Sequence, residues 1–311
     1  MRLAVFQRRP IMGDPERAAT IIADDLSWAS KQSVDLALFP EGVLTGHSYD
    51  PATIAAVAIK RDGPELRTLL GQLAPGHPAA IVGAFERRGG AIFNSAFAIE
   101  EGAVTGRYAK AHPNEPGVTA GDDCPVFVRA GLTYGINICA DANHPATAQR
   151  LADAGARLIC YPLNNWLPIA TADRWRERSI ANLQARARQT GCWVASADVT
   201  GTGEGVISHG CTMIVATDGA IVARVAEGQE GVAVFDMRLR KLRRSPPERS
   251  APLHRVRRYG HLPICRSRAR RSGGRSRGEI TRAPYPDPRR RLGHGGCHNG
   301  NPSICRRRTR L

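Results

Sequence analysis

Leu132-Thr133-Tyr134-Gly135-Ile136-Asn137-Ile138-Cys139-Ala140-Asp141 is the stretch on which the interpretation of this chain turns. Its apolar run predicts a buried strand, and a helical pattern over 147–154 follows within a few residues. Cys139 therefore falls where a strand gives way to a helix, at a constrained corner whose following backbone N–H groups point outward and lower the cost of a thiolate. Free cysteines are more often buried and inert, so the thiol alone decides nothing. Two other segments change its weight. Asp35-Leu36-Ala37-Leu38-Phe39-Pro40-Glu41-Gly42 runs a four-residue apolar strand into a proline and a carboxylate, at the strand edge where open α/β sheets bind ligands. Gly106-Arg107-Tyr108-Ala109-Lys110-Ala111-His112 follows the alternating strand 91–99 and brings an ammonium to a strand end. A carboxylate can deprotonate a thiol, and an ammonium can stabilise a thiolate and the oxyanion formed after attack.

In this order and with these flanks, the chain resembles the carbon–nitrogen hydrolases of the nitrilase superfamily over roughly residues 1–245. Phe39-Pro40-Glu41 with Thr45-Gly46 is similar to the family's glutamate motif. Tyr108, Lys110 and His112 are similar to its lysine motif, and Ile138-Cys139-Ala140-Asp141 with Pro145 to its cysteine motif. Ala4-Val5-Phe6-Gln7 resembles the family's first strand, and Gly155 through Pro162, Arg186-Ala187 and Gly210 through Gly219 resemble later landmarks. The resemblance implies Glu41 as general base, Lys110 as oxyanion stabiliser, Cys139 as nucleophile and the Ala140 N–H as a second oxyanion donor. It also implies a second glutamate after the lysine, for which Glu115 is the candidate by position. A turn residue before Pro116 is the plainer reading of Glu115. The chain departs from the family pattern at Ala146 and Gln149, at Gln189-Thr190, at Asp198 in place of Asn, and at Thr212 in place of Ser. None of these touches the three motif residues.

The formal net charge of +16 suggests a nucleic-acid binder. The charge is unevenly spread: residues 238–311 hold 23 Lys and Arg against 3 Asp and Glu, and residues 1–237 hold 21 against 25. The body is mildly acidic, and the basicity lies at one end. That end is built from Arg, Pro, Gly and Ser, a composition that buries too little apolar surface to offset ordering entropy. We therefore divide the chain into a hydrolase domain, 1–245, and a basic tail, 246–311, expected to be disordered. The tail reads as a basic arm, as a family-like arm confined to residues near 236–245, or, best fitting its composition, as GC-rich coding sequence read out of its ancestral frame. Nucleic-acid binding is the weaker expectation. His294, Cys297, His298 and Cys305 match no zinc-ligand spacing, and no metal or other cofactor is expected. The eight cysteines form no disulfide framework. With no signal-peptide pattern or membrane-length apolar run, the expectation is a cytoplasmic protein with reduced thiols.

The body predicts helices over 14–29, 64–73, 147–154 and 172–190, alternating with strands at 36–39, 79–85, 91–99, 133–138, 158–161, 193–197, 212–215, 220–225 and 232–235. This is an α/β pattern with mixed strand order. The resemblance sharpens it to a four-layer α-β-β-α sandwich of a kind that often forms homodimers or higher oligomers. Asn164, Asn165 and Trp166 follow the strand at 158–161 and are expected to line a pocket, as are His47 and Tyr49 after Glu41. Amide side chains with an indole suit a small polar molecule carrying one flat or apolar part. The predicted chemistry is hydrolysis of a small-molecule amide through a Cys139 thioester, with N-carbamoyl and nitrile substrates as alternatives on the same residues. Two other classes stay open: a protein that keeps the fold without turnover, and a nucleic-acid binder acting through the tail.

Overall fold

The computed structural model describes residues 1–73 and 75–237. The tail expectations, including disorder, fall on residues outside this range. The elements run β1 (Arg2–Gln7), α1 (Pro15–Lys31), β2 (Leu36–Leu38), α2 (Pro51–Val57), α3 (Pro64–Gln72), β3 (Ala79–Arg88), β4 (Ala91–Glu100), β5 (Ala103–Ala109), β6 (Val126–Arg129) and β7 (Leu132–Ile136). A 3-10 turn (Cys139–Asn143) and α4 (Pro145–Asp153) lead to β8 (Leu158–Pro162), β9 (Leu167–Pro168) and α5 (Ile169–Thr190). The remaining strands are β10 (Trp193–Ala197), β11 (Gly201–Gly203), β12 (Val206–Ser208), β13 (Met213–Val215), β14 (Ile221–Arg224) and β15 (Gly231–Asp236).

Two six-stranded sheets form, in the orders β15-β1-β2-β3-β4-β5 and β14-β13-β10-β8-β7-β6. The pairs β1–β2, β2–β3, β7–β8 and β8–β10 are parallel, and the other pairs in these sheets are antiparallel. The period-two alternation of strand side chains makes the layers. In β1, Leu3 and Val5 join Leu38, Ile81, Tyr134, Ile136, Leu158 and Ile214 in a core between the two sheets. Ala4 and Phe6, one residue out of step, join Ile22 and Leu26 of α1 and Leu66 and Leu69 of α3 in a second core. On the far side, Leu151 of α4 and Leu183 and Ala187 of α5 cover Ile159, Val194 and Met213. The order is helix, sheet, sheet, helix. Each fully buried Leu, Ile or Phe side chain contributes about 1.5–3 kcal/mol, so both faces of each sheet have to be covered.

Local signals set most element ends. Asp14 accepts the Arg17 N–H at 3.0 Å ahead of Pro15, and Asp50 accepts the Thr53 N–H at 2.8 Å ahead of Pro51. The second of these opens α2, which is too short to show an apolar stripe in the sequence. Strands β6 and β11 contain no fully buried residue, so neither shows a buried apolar run. Gly191 ends α5 in the left-handed conformation. Helix α5 starts at Ile169, earlier than its apolar period suggests, because β9 leads straight into it and pairs with β12 in a three-stranded sheet, β11-β12-β9.

The loops after parallel strands of the two sheets meet at one edge. Glu41 N–H, beyond β2, donates to Leu163 O, beyond β8, at 3.0 Å, and Leu163 N–H donates to Ala197 O at the end of β10 at 2.8 Å. Gly83 in β3 makes the first turn possible, since a Cβ there would lie 2.5 Å from Gly42 N, and Gly42 itself has φ +64°.

Candidate active site

Four residues converge at this edge. Glu41 follows β2, Lys110 follows β5, Glu115 lies in the same loop as Lys110, and Cys139 opens the 3-10 turn after β7. Cys139 has φ +39°, a left-handed corner that a non-glycine residue adopts at a cost of about 1–3 kcal/mol. Ile138 N–H donates to Asp141 Oδ2 at 2.9 Å and so closes the turn around the sulfur. As the second residue of a helical turn, Ala140 has an N–H with no acceptor in a preceding turn.

Lys110 Nζ donates to Glu41 Oε1 at 2.8 Å, to Glu115 Oε1 at 2.7 Å and to Asn114 Oδ1 at 3.2 Å. Asn94 Nδ2 bridges the same two carboxylate oxygens, at 2.8 Å from each. His47 Nε2 lies 2.8 Å from Glu115 Oε1 and completes a fan of donors around it. Glu41 Oε2 is buried and has no partner among the described residues. Thus one oxygen of Glu41 is locked onto a cation, and the other has its lone pairs unused.

The electrostatics follow from this packing. Burial alone would lower the Lys110 ammonium, but Glu41, Cys139 and Glu115 raise it well above the ordinary lysine value. Burial pushes Glu115 up, and His47 and Lys110 outweigh it, holding the carboxyl far below the usual range. Burial, reinforced by Glu41, pushes the Cys139 thiol well up, against the pull of Lys110 and the Asn164 backbone amide. The resting state at neutral pH is a thiol beside an ammonium clasped by two carboxyl groups. Glu41, His47 and Glu115 also present ligand atoms within 4.8 Å of one another, as a metal site would. Lys110 already bonds an oxygen of each glutamate in that set, so the cation of this cluster is an ammonium.

A cavity of about 140 Å³ opens over Cys139. Of the residues expected to line it, Tyr49, Ala140, Asn164 and Asn165 do. The expectation for His47 is corrected: it lies behind, beside Tyr49 and Phe85 at ring-centroid distances of 5.1 and 5.6 Å, where it serves Glu115. The expectation for Trp166 is corrected too. Its indole packs beside Gly201 and Gly203 of β11, and the residue is not part of the cavity lining. The hairpin β11–β12 takes up the ring. The indole in the wall is that of Trp175, on α5, with Ser179, Asn182 and Leu183. These four sit on one helical face at i, i+4, i+7 and i+8, a stripe the sequence carries. Asn94 also escapes the sequence reading, and a lone buried amide in the apolar run of β4 is its signal. Asp141 accepts Tyr108 OH at 2.8 Å and His112 N–H at 2.8 Å, tying the lysine loop to the cysteine corner.

The carbon-nitrogen hydrolase family model matches residues 2–246. The chain belongs to the carbon-nitrogen hydrolases. Among relatives, a Pseudomonas protegens protein named "Hydrolase in pqqF 5'region" is 30% identical over 235 residues, which are 72% of this chain and 78% of the relative. The "(R)-stereoselective amidase" of a Pseudomonas species is 28% identical over 192 residues, 60% of this chain and 68% of that protein. Among solved structures, the NitN amidase of Nesterenkonia sp. AN1 superposes with a TM-score of 0.66 at 24% identity, over 76% of this chain and 93% of that one. This likeness shows the fold. Another structure of the Nesterenkonia amidase carries the acetamide moiety of fluoroacetamide added covalently at its active-site cysteine. The protein is accordingly a carbon-nitrogen hydrolase of the amidase and nitrilase type. No described helix is long and apolar enough to cross a membrane.

Proposed function

We propose that this hydrolase cleaves small-molecule amides through a thioester on Cys139. The observation that carries the reading is Glu41: Oε1 is held by Lys110 and Asn94, while Oε2 is buried without a partner among the described residues, in a site whose thiol burial keeps protonated. Glu41 Oε2 takes the thiol proton as Cys139 Sγ attacks the amide carbon. Negative charge moves to the carbonyl oxygen, where the Lys110 ammonium and the Ala140 N–H receive it. When the tetrahedral intermediate collapses, the C–N bond breaks and Glu41 returns the proton to the departing nitrogen, so ammonia or an amine leaves. Water then gives a proton to Glu41 and attacks the thioester. The acid leaves, and the thiol recovers its proton.

Glu115 stays ionised throughout, because its carboxyl sits far below the usual range. Its work is to hold Lys110 and His47 in place. Amides are preferred over N-carbamoyl compounds and nitriles because the cysteine adduct of the Nesterenkonia amidase and the name of the Pseudomonas relative both concern amides.

Ammonia release from short amides, with intact-mass detection of an acylated Cys139, tests the reading. Turnover with an acyl adduct is expected, and Cys139→Ala should abolish both. Unchanged ammonia release in Cys139→Ala would overturn it. Faster turnover of matched nitriles than of amides would move the substrate class.

A further inference from the structure

Resting on the amidase reading, we propose that Asp198 is a positioning residue for substrate binding. Its carboxylate decides which end of the Asn165 amide is held back and which is left to the cavity, so proton uptake by Asp198 reverses that amide and weakens the binding of amide substrates. Asp198 directly follows β10 and is fully buried. All four groups that its carboxylate meets are N–H donors. Oδ1 accepts the backbone N–H of Asn165 at 3.0 Å and that of Val199 at 2.9 Å. Oδ2 accepts Asn165 Nδ2 at 2.7 Å and the backbone N–H of Cys211 at 2.9 Å. Two oxygens that only accept are what an ionised carboxylate supplies. Three of the four donors are backbone groups, fixed by the chain around them. The Asn165 side chain is the one that can turn. Toward a carboxylate it has to offer Nδ2, and its oxygen and second N–H then keep no protein partner among the described residues. Asn165 lines the cavity over Cys139, and the backbone amide before it, that of Asn164, faces the Cys139 sulfur.

A proton on this carboxyl has one place to go. On Oδ1 it would face two backbone N–H groups. On Oδ2 it finds an acceptor only if the Asn165 side chain turns over and presents its own oxygen. The turned amide gives its oxygen to Asp198 and sends both N–H groups away from it, so the cavity wall exchanges an acceptor for a donor with almost no change of shape. The charged and titratable groups packed around Asp198 are Arg176 of α5, and His209 and Cys211 ahead of β13, which share a narrow cleft with it. Cys139 is also near enough to feel its charge. Arg176 pairs with Glu227 at 3.1 Å and Asp173 at 3.8 Å, and His209 lies 3.1 Å from Asp173. Neither cation is spent on Asp198. Burial therefore outweighs the four N–H groups and lifts the carboxyl to about 6. It is ionised at neutral pH and takes its proton in mildly acid solution.

Asp198→Asn copies the protonated carboxyl, since its oxygen can serve the two backbone N–H groups only if its own N–H points at Asn165. With butyramide as the probe, KM of the parent should rise about 3–10-fold as the pH falls through 6, the scale of one hydrogen bond lost. Asp198→Asn should show the raised KM at every pH, without the step, and the effect should fall on KM more than on kcat. Asn165→Val has no amide to turn, so it too should lack the step, and adding Asp198→Asn to it should change KM little. A merely structural role would move KM, kcat and melting temperature together and would not depend on Asn165. A parent KM indifferent to pH, a step retained in Asp198→Asn, or additive effects of the two substitutions would overturn the proposal. A reading without ligand or turnover comes from nitrogen-15 NMR. The side-chain amide pair of Asn165, assigned by its loss in Asn165→Val, should shift between pH values well above and well below 6 in the parent and stay fixed in Asp198→Asn. A fixed Asn165 pair in the parent would overturn the proposal whatever the turnover. The same pH step in butyramide binding to Cys139→Ala, followed by calorimetry, with no ammonia released by the unmodified enzyme, would keep the proposal and overturn the amidase reading.

Discussion

A thiol that burial keeps protonated needs a base with an unoccupied lone pair, and Glu41 Oε2 is that atom in the proposed chemistry. Glu41→Gln keeps the shape and loses the basicity, so kcat should fall on the order of 10²-fold or more. Lys110→Arg keeps the charge, but a planar guanidinium cannot reproduce the compact contacts of 2.8 and 2.7 Å to two carboxylates. A comparable loss is expected, and the double variant should be little worse than either single one, since the residues act as a unit. Near-full kcat in either single variant would refute the assignment. Glu115 makes a prediction in pH. Its carboxyl is held far below the ordinary value of 4.5 by His47 and Lys110, against burial. The ionised form therefore stabilises the fold above about pH 4.5, and that contribution is lost as the pH falls through the acid range. Glu115→Gln should be less stable than the parent by about 3–5 kcal/mol at neutral pH, the scale of breaking a buried ion pair. In thermal melts the gap should narrow progressively as the pH drops below that of the ordinary carboxyl. A gap independent of pH would show that the charge of Glu115 does not stabilise the fold.

The turns that carry these residues are held from behind by the strands. The Glu41 turn lies against β3, where a Cβ on Gly83 would sit 2.5 Å from Gly42 N. Gly83→Ala should cost about 1–3 kcal/mol of stability through overpacking. It should also lower kcat, because the backbone that must yield carries Glu41. Undiminished kcat in a folded Gly83→Ala protein would mean that the turn can move without consequence. Asp141 joins the loop after β5 to the turn after β7 through Tyr108 OH, His112 N–H and Ile138 N–H. Much of this scaffold is legible in the sequence. The strand and helix periods place β2, β7 and β8, and Pro15 marks a helix start. Trp166 goes to the wrong place in such a reading because chain position cannot say whether a residue after a turn faces the cavity or a neighbouring hairpin. Trp175 escapes it because its helix reads as a surface element until it is folded over the cysteine corner.

Across the whole molecule, charge and family match divide the chain in nearly the same place. Met237 N–H donates to Met1 O at 2.9 Å, where β15 pairs along β1, and the family match ends at residue 246. The excess of Lys and Arg begins beyond residue 237. A chain ending at residue 246 should keep the melting temperature and the specific activity of the full chain. Loss of either would make residues 247–311 part of the working domain. In the full chain, iodoacetamide should label Cys139, which is half-buried and borders the cavity, well before Cys160, Cys192 and Cys211. Those three are buried and do not border this cavity, so access and not thiol acidity separates them from Cys139. Equal labelling of Cys160 and Cys139 would mean that the corner offers the sulfur no special access.

The residue types of the chemistry, their order along the chain and the strands that carry them are all written in the linear sequence, because apolar period and turn residues act locally. The layering enters through the family resemblance, since strand and helix periods alone give only an α/β pattern. The remaining features came into being only on folding. Asn94 bridges two carboxylates, Asp141 ties two loops, and Asn165 and Asn182 come to line the cavity. Each of these depends on partners distant in sequence, brought together by the packing of one sheet on the other and of α5 over the second. Spacing along the chain holds no record of such contacts, and the free oxygen of Glu41 is defined by what the folded protein leaves unpaired around it.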